Sequence, residues 1–170
     1  MAPEWNSSLW MDVFDELLDT ELDNDDQWAF TFNYGMEPKL TEQEKRRGWK
    51  TCQRSIQAEF TCSNCSKWWP SGRSTILFRY RLQSNGSGTI IMRPLKQACR
   101  KCQGQYELPG FREETVRICL LVLISKIKRN CYGDKSSNGN KDKCVKPVWT
   151  KPHEVSFCEA CRLGICCQDK

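Results

Sequence analysis

Three Cys-x-x-Cys pairs constrain this chain more than any other feature: Cys62-Ser63-Asn64-Cys65, Cys99-Arg100-Lys101-Cys102 and Cys158-Glu159-Ala160-Cys161. A two-residue spacing lets one tight turn present two sulfurs to one tetrahedral ion, and three such pairs point to zinc. A lone pair would leave redox chemistry open, but none of these follows a strand and opens a helix in a thioredoxin-like unit. Twelve cysteines would also suit a secreted disulfide scaffold. The start MAPEWNSSLW, however, has neither a basic n-region nor a continuous apolar h-region, so the expectation is an unexported chain with reduced, metal-binding thiols.

Six paired cysteines overfill one four-coordinate site and underfill two, so other ligands must join. His153, the only histidine, lies five residues before Cys158, and Cys166 lies five after Cys161. His153, Cys158, Cys161 and Cys166 could therefore close a site locally, leaving Cys62, Cys65, Cys99 and Cys102 for another. A competing arrangement puts Cys158 and Cys161 with Cys62 and Cys65 around one ion and leaves the middle pair to other partners. One or two structural zinc ions are expected, since a filled ligand shell leaves no position for a reactive water. Cys119 reads as a core residue, and Cys52, Cys131 and Cys144 have no ligand spacing.

At 170 residues the natural expectation is one core plus tails. Its charge is uneven. Residues 1–36 hold nine of the 21 acids and none of the 26 Lys and Arg, so the remainder carries a formal +14 against +5 for the whole chain. Such a body suits an anionic membrane surface, RNA or an acidic protein segment. The arginines at 73, 79, 81 and 93, beside aromatics, motivate the nucleic-acid reading, with a solvated strand face as its plainer alternative. The longest apolar run, Ile118 to Ile124, is seven residues, well short of the roughly 20 that a spanning helix needs.

Periodicity predicts an α+β fold: a small zinc-pinned antiparallel sheet with an amphipathic helix before it and a second, buried helix after it. Leu9 to Leu22 carries Trp10, Val13, Phe14, Leu17 and Leu18 at helical spacing, with Ser7 or Ser8 available as the N-cap. Ile56, Ala58 and Phe60 alternate as a strand that delivers Cys62 and Cys65. A hairpin joins 76–82 to 89–93 through Asn85-Gly86, whose positive φ angles allow the reversal. From Arg112 to Asn130, Val116, Leu120, Leu123 and Ile127 form a helical stripe. The domain reading is an acidic arm over 1–36, a zinc-binding domain over 45–166 with a polar insert at 133–152, and a tail at 167–170. Of the tryptophans at 68 and 69, at least one is expected to pack against the metal knuckle, and the pair could also meet a partner. No paired carboxylates, nucleotide loop or small-molecule motif supports catalysis; the chain reads as a binding protein, not an enzyme.

Gly48-Trp49-Lys50, Phe60-Thr61-Cys62-Ser63-Asn64-Cys65 with Trp68, Ile90 to Arg93, Cys99 to Cys102, Cys131-Tyr132-Gly133, and His153 with Cys158-Glu159-Ala160-Cys161-Arg162-Leu163-Gly164-Ile165-Cys166 together resemble the receptor-transporting protein family and its three-CxxC zinc finger. The resemblance spans about Trp10 to Cys166. It implies an accessory, chaperone-like protein that binds seven-helix receptors of the odorant, taste or opioid type and promotes their targeting to the plasma membrane. Because some relatives look like interferon-induced antiviral factors, the resemblance implies as its alternative an RNA-binding antiviral zinc-finger protein. The resemblance also implies a cytoplasmic domain at the periphery of the endoplasmic reticulum or plasma membrane. Members usually carry a C-terminal anchor, and this sequence ends at Lys170, so association through the receptor, the basic body or acylation of Cys166 or Cys167 is the corresponding expectation.

Overall fold

The computed structural model describes residues 2–22, 25–102, 105–133 and 157–165. The first helix, α1 (Ser7–Glu21), starts earlier than periodicity suggests. Its cap is Asn6, whose side chain accepts from the Leu9 N–H at 3.2 Å, while both candidate serines fall inside the first turn. The apolar stripe docks as its spacing requires, with Trp10, Val13, Phe14 and Leu17 buried.

Strand β1 (Gln27–Phe32) follows, then a one-turn helix α2 (Glu42–Arg46) and three longer strands, β2 (Lys50–Thr61), β3 (Trp68–Leu82) and β4 (Ser87–Pro94). They form one sheet in the order β1-β4-β3-β2. The β2–β3 and β3–β4 pairs are antiparallel, as expected. β1 is parallel to β4, which makes the sheet mixed. The β3–β4 turn needs one left-handed residue, Gly86 at φ 85; Asn85 stays out of that region and accepts the Ser87 N–H on its side chain instead. A two-stranded ribbon, β5 (Gln97–Ala98) with β6 (Tyr106–Glu107), precedes the long helix α3 (Glu113–Tyr132). Gly133 ends α3 in the left-handed conformation at φ 66. A last turn of helix, α4, covers Glu159–Arg162. The expected insert at 133–152 lies, after Gly133, outside the described residues.

α1 and α3 cover one face of the sheet. There Ile76, Phe78 and Tyr80 of β3 and Ile90 and Met92 of β4 meet Leu120, Leu123 and Ile127 of α3, all almost fully buried. Each such side chain contributes roughly 1.5–3 kcal/mol of burial, so this face is the main core. Alternation sends Leu77, Arg79 and Arg81 to the other face. A smaller core forms there from Met36, Leu77, Leu95, Cys158 and Ala160. The arginines of that face are not solvated. Arg79 is 9% exposed and donates to the Glu44 carboxylate and to the carbonyls of Glu37 and Lys39. Arg93 donates to the Met36 carbonyl and pairs with Glu159. The Arg81 guanidinium lies 4.6 Å from the ring centroid of Trp49.

Candidate metal centre

The first knuckle sits where β2 ends. The Cys62 N–H bonds the Lys67 carbonyl at 2.8 Å, the Ser66 N–H bonds the Cys62 carbonyl at 2.9 Å, and Ser66 takes a positive φ of 62 to close the loop. This turn aims the N–H groups of Asn64 and Cys65 at the Cys62 sulfur, at 3.4 and 3.5 Å. β3 then runs out, β4 runs back, and β5 ends beside the first knuckle with Cys99 and Cys102. The sulfurs of Cys62, Cys65, Cys99 and Cys102 all lie within 4.8 Å of one another, and Cys65 and Cys99 approach to 3.7 Å.

A tetrahedral zinc thiolate with bonds of about 2.3 Å needs sulfurs about 3.8 Å apart, so this cluster has the size and donor set of a closed zinc site. Its surroundings suit thiolates too. The Asn64 amide donates to the Cys102 sulfur at 3.4 Å, and Ser63 ties the loop to Glu107 through its N–H at 3.0 Å and its hydroxyl at 2.7 Å. The N–H groups of Cys65 and Asn64 draw the Cys62 thiol down to about 7. At Cys65 the Lys67 N–H works in the same direction but is outweighed by burial and by hydrogen bonds to the other three cysteines, which push that thiol up to about 11. Cys62 therefore forms a thiolate more readily than Cys65, as neighbouring thiols sharing one small space do.

The third pair lies elsewhere. Cys158 forms a bridge with Gln97, the Glu159 N–H bonds the Lys96 carbonyl at 3.2 Å, and the Glu159 carboxylate accepts the Lys96 N–H at 3.2 Å while lying 3.5 Å from Arg93. Cys158 and Cys161 thus pack on the smaller core beside Leu77 and Leu95. The alternative in which they share an ion with Cys62 and Cys65 is not what the fold builds, because the hairpin returns the middle pair to that position. His153 and Cys166 lie outside the described residues. None of the nine described cysteines is in a disulfide. Cys119 is a core thiol as expected, pushed up to about 12 by burial. Trp69 stacks on Phe60 at 5.4 Å and donates to Gln97 at 3.1 Å, whereas Trp68, beside it, is 48% exposed. Sequence reasoning missed Asn64, Ser63 and Glu107 as supports of the cluster; only their proximity to the knuckles hinted at it.

A hairpin-borne pair of Cys-x-x-Cys knuckles converging on one four-sulfur cluster defines a zinc ribbon. A family model for a zinc-binding domain, the zinc ribbon with three Cys-x-x-Cys pairs, matches residues 55–164. The chain belongs to this family, within the receptor-transporting proteins. It is 34% identical over 129 residues to receptor-transporting protein 4 of Homo sapiens, covering 72% of this chain and 51% of that protein. It is 29% identical over 167 residues to receptor-transporting protein 3 of Mus musculus, covering 94% of this chain and 33% of that protein. Against receptor-transporting protein 4 of Mus musculus it is 29% identical over 161 residues, with coverages of 92% and 63%. The chain thus spans between a third and just under two thirds of the length of these relatives. No solved structure matches it. Among the described residues, no helix is long and apolar enough to cross a membrane.

Proposed function

We propose that this chain is a zinc-pinned accessory protein that binds seven-helix receptors, of the chemosensory type, and promotes their targeting to the plasma membrane. The observation that carries this reading is the similarity over most of the chain to proteins named receptor-transporting, joined to a zinc-ribbon match over 55–164. Cys62, Cys65, Cys99 and Cys102 hold one structural zinc. Cys158 and Cys161 hold a second with His153 and Cys166. The protein acts by binding, not by catalysis, at the cytoplasmic periphery of the membrane. Zinc fixes the end of the sheet where Trp68 stands exposed, and a rigid aromatic beside a knuckle is a fitting anchor for a partner. RNA binding has less to stand on: Arg79, Arg81 and Arg93 are engaged within the fold, and of the four hairpin arginines Arg73 alone is exposed.

The test is co-expression with a panel of seven-helix receptors, scoring surface level and co-precipitation with the zinc-loaded chain. A rise in surface level that Cys99→Ser abolishes is the expected result. Unchanged surface levels across the panel overturn the reading.

A further inference from the structure

The four-stranded sheet has two edges, and they are treated differently. On β2, Glu59 exchanges both main-chain bonds with Gly110, and the Gln53 side chain donates to the Ile165 carbonyl at 2.7 Å. β1 has no such cover among the described residues. The bonds from Gln27 N–H to the Gly86 carbonyl and from Asn33 N–H to the Met92 carbonyl, both 3.0 Å, set the phase of the parallel pair. Odd-numbered residues turn their main-chain groups toward β4, and Trp28, Phe30 and Phe32 turn theirs outward. Among the described residues, no hydrogen bond reaches those outward groups. The strand Gln-Trp-Ala-Phe-Thr-Phe has no charge and no proline, which are the usual means of closing an edge to pairing.

The neighbourhood of that edge is acidic. α1 lies above it, with Phe14 and Phe30 ring centroids 5.1 Å apart. Glu16 and Glu21 of α1 face the other way, paired to Arg117 and Lys128 of α3. Met11 and Leu18 lie about 150° and 130° around the helix from the direction midway between Glu16 and Glu21, and so stand on the side away from α3. Met11 is 43% exposed there, and Asp12, Asp15, Asp19 and Asp25 are exposed on the same arm, which contains no Lys or Arg. A second copy pairing through β1 would double that negative charge; a cationic strand would neutralise it.

We infer that β1 is a docking edge for an extended, Lys/Arg-bearing peptide segment, which adds as a fifth strand on Trp28, Phe30 and Phe32 and sets its apolar side chains toward Met11 and its cations toward the acidic arm. Resting on the receptor reading above, the segment is a receptor's cytoplasmic flank, where membrane proteins concentrate Lys and Arg. Main-chain pairing explains how one edge could serve receptors of differing sequence.

The probe is a labelled Lys-Val-Lys-Leu-Lys-Val peptide, titrated into the zinc-loaded full chain and followed by amide nitrogen-proton shifts. Shifts centred on residues 28, 30 and 32 are expected, with affinity reduced about tenfold or more by N-methylation of alternate peptide residues and by Asp15→Lys combined with Ala29→Lys. Equal binding of the N-methylated peptide, shifts confined elsewhere, or an edge already filled by a second copy in sedimentation overturns the inference. A receptor that precipitates equally with wild type and with the double variant overturns the docking edge while the receptor reading stands. Peptide binding at β1 with no receptor captured by the wild-type chain leaves the edge intact and removes the receptor.

Discussion

The indole of Trp28 lies flat against Gly88, its partner across the parallel β1–β4 pair: a Cβ at position 88 would stand 2.2 Å from Cδ2 of the ring. The ring cannot swing away freely, because its Nε1 donates to the Tyr132 hydroxyl at 3.2 Å. Gly88→Ala must therefore push β1 from β4 or break that bond, and overpacking of this kind costs about 1–3 kcal/mol. Urea unfolding of the zinc-loaded protein should show the loss. An unchanged midpoint would mean that Trp28 finds another seat.

β1 also shows where sequence reading stops. Gln27 to Phe32 alternates polar and aromatic residues as a strand should, but it follows a run of acids. Its partner lies some 60 residues downstream, beyond any hairpin signal. The β3–β4 hairpin was readable because both halves and the turn are adjacent in sequence. The zinc pairing stayed open in the sequence, between two arrangements; the fold joins Cys62 and Cys65 to Cys99 and Cys102 because the hairpin closes at Cys99 the excursion that Cys62 opens. What the text could not show is that Arg79 and Arg93 are covered. The groups that cover them, around Met36 to Glu44 and at Glu159, come from distant parts of the chain. An arginine at an alternate strand position looks solvated until such remote segments are placed.

If the four-sulfur cluster holds zinc, Cys99→Ser should lower the zinc content by one ion per chain and broaden unfolding. In zinc ribbons site formation is part of folding. Elemental analysis of protein purified under reducing conditions gives the count, and circular dichroism in chelator gives the fold. The ligands must be thiolates, so zinc retention should fall as pH is lowered and protons compete for the sulfurs. A chain that keeps its fold in chelator at neutral pH would exclude a structural role for the ion.

Glu159 fastens the third knuckle to the sheet through Arg93 and the Lys96 N–H, with both charged side chains little exposed. Glu159→Ala leaves the Arg93 guanidinium, among the described residues, with the Met36 carbonyl, and losing a charged hydrogen-bond partner at a nearly buried site costs about 2 kcal/mol. Hydrogen exchange should quicken at 158–165 and around Leu95 while the main core stays protected. Uniform protection in the variant would show that the apolar contacts of Cys158 and Ala160 suffice.

Tyr132 closes α3 with its hydroxyl donating to Asp26 at 2.7 Å while accepting from Trp28, which ties the helix end to the start of β1. Burial and the bond to the Asp26 carboxylate both disfavour the phenolate and push the hydroxyl up to about 12; the Trp28 donor opposes them weakly. A group whose folded value is raised contributes stability that is complete below its unfolded value, about 10 for tyrosine, and is lost as pH rises through the folded one. Between those limits the unfolded chain ionises while the native one keeps its proton, so native stability should decline across that window. Tyr132→Phe should flatten this decline. It should also remove one tyrosine's worth of the high-pH tyrosinate absorbance step, leaving behind the step of Tyr80, whose burial raises it as well. A titration in which the variant and wild type lose stability in parallel would place the Tyr132 hydroxyl in open contact with water and detach α3 from β1.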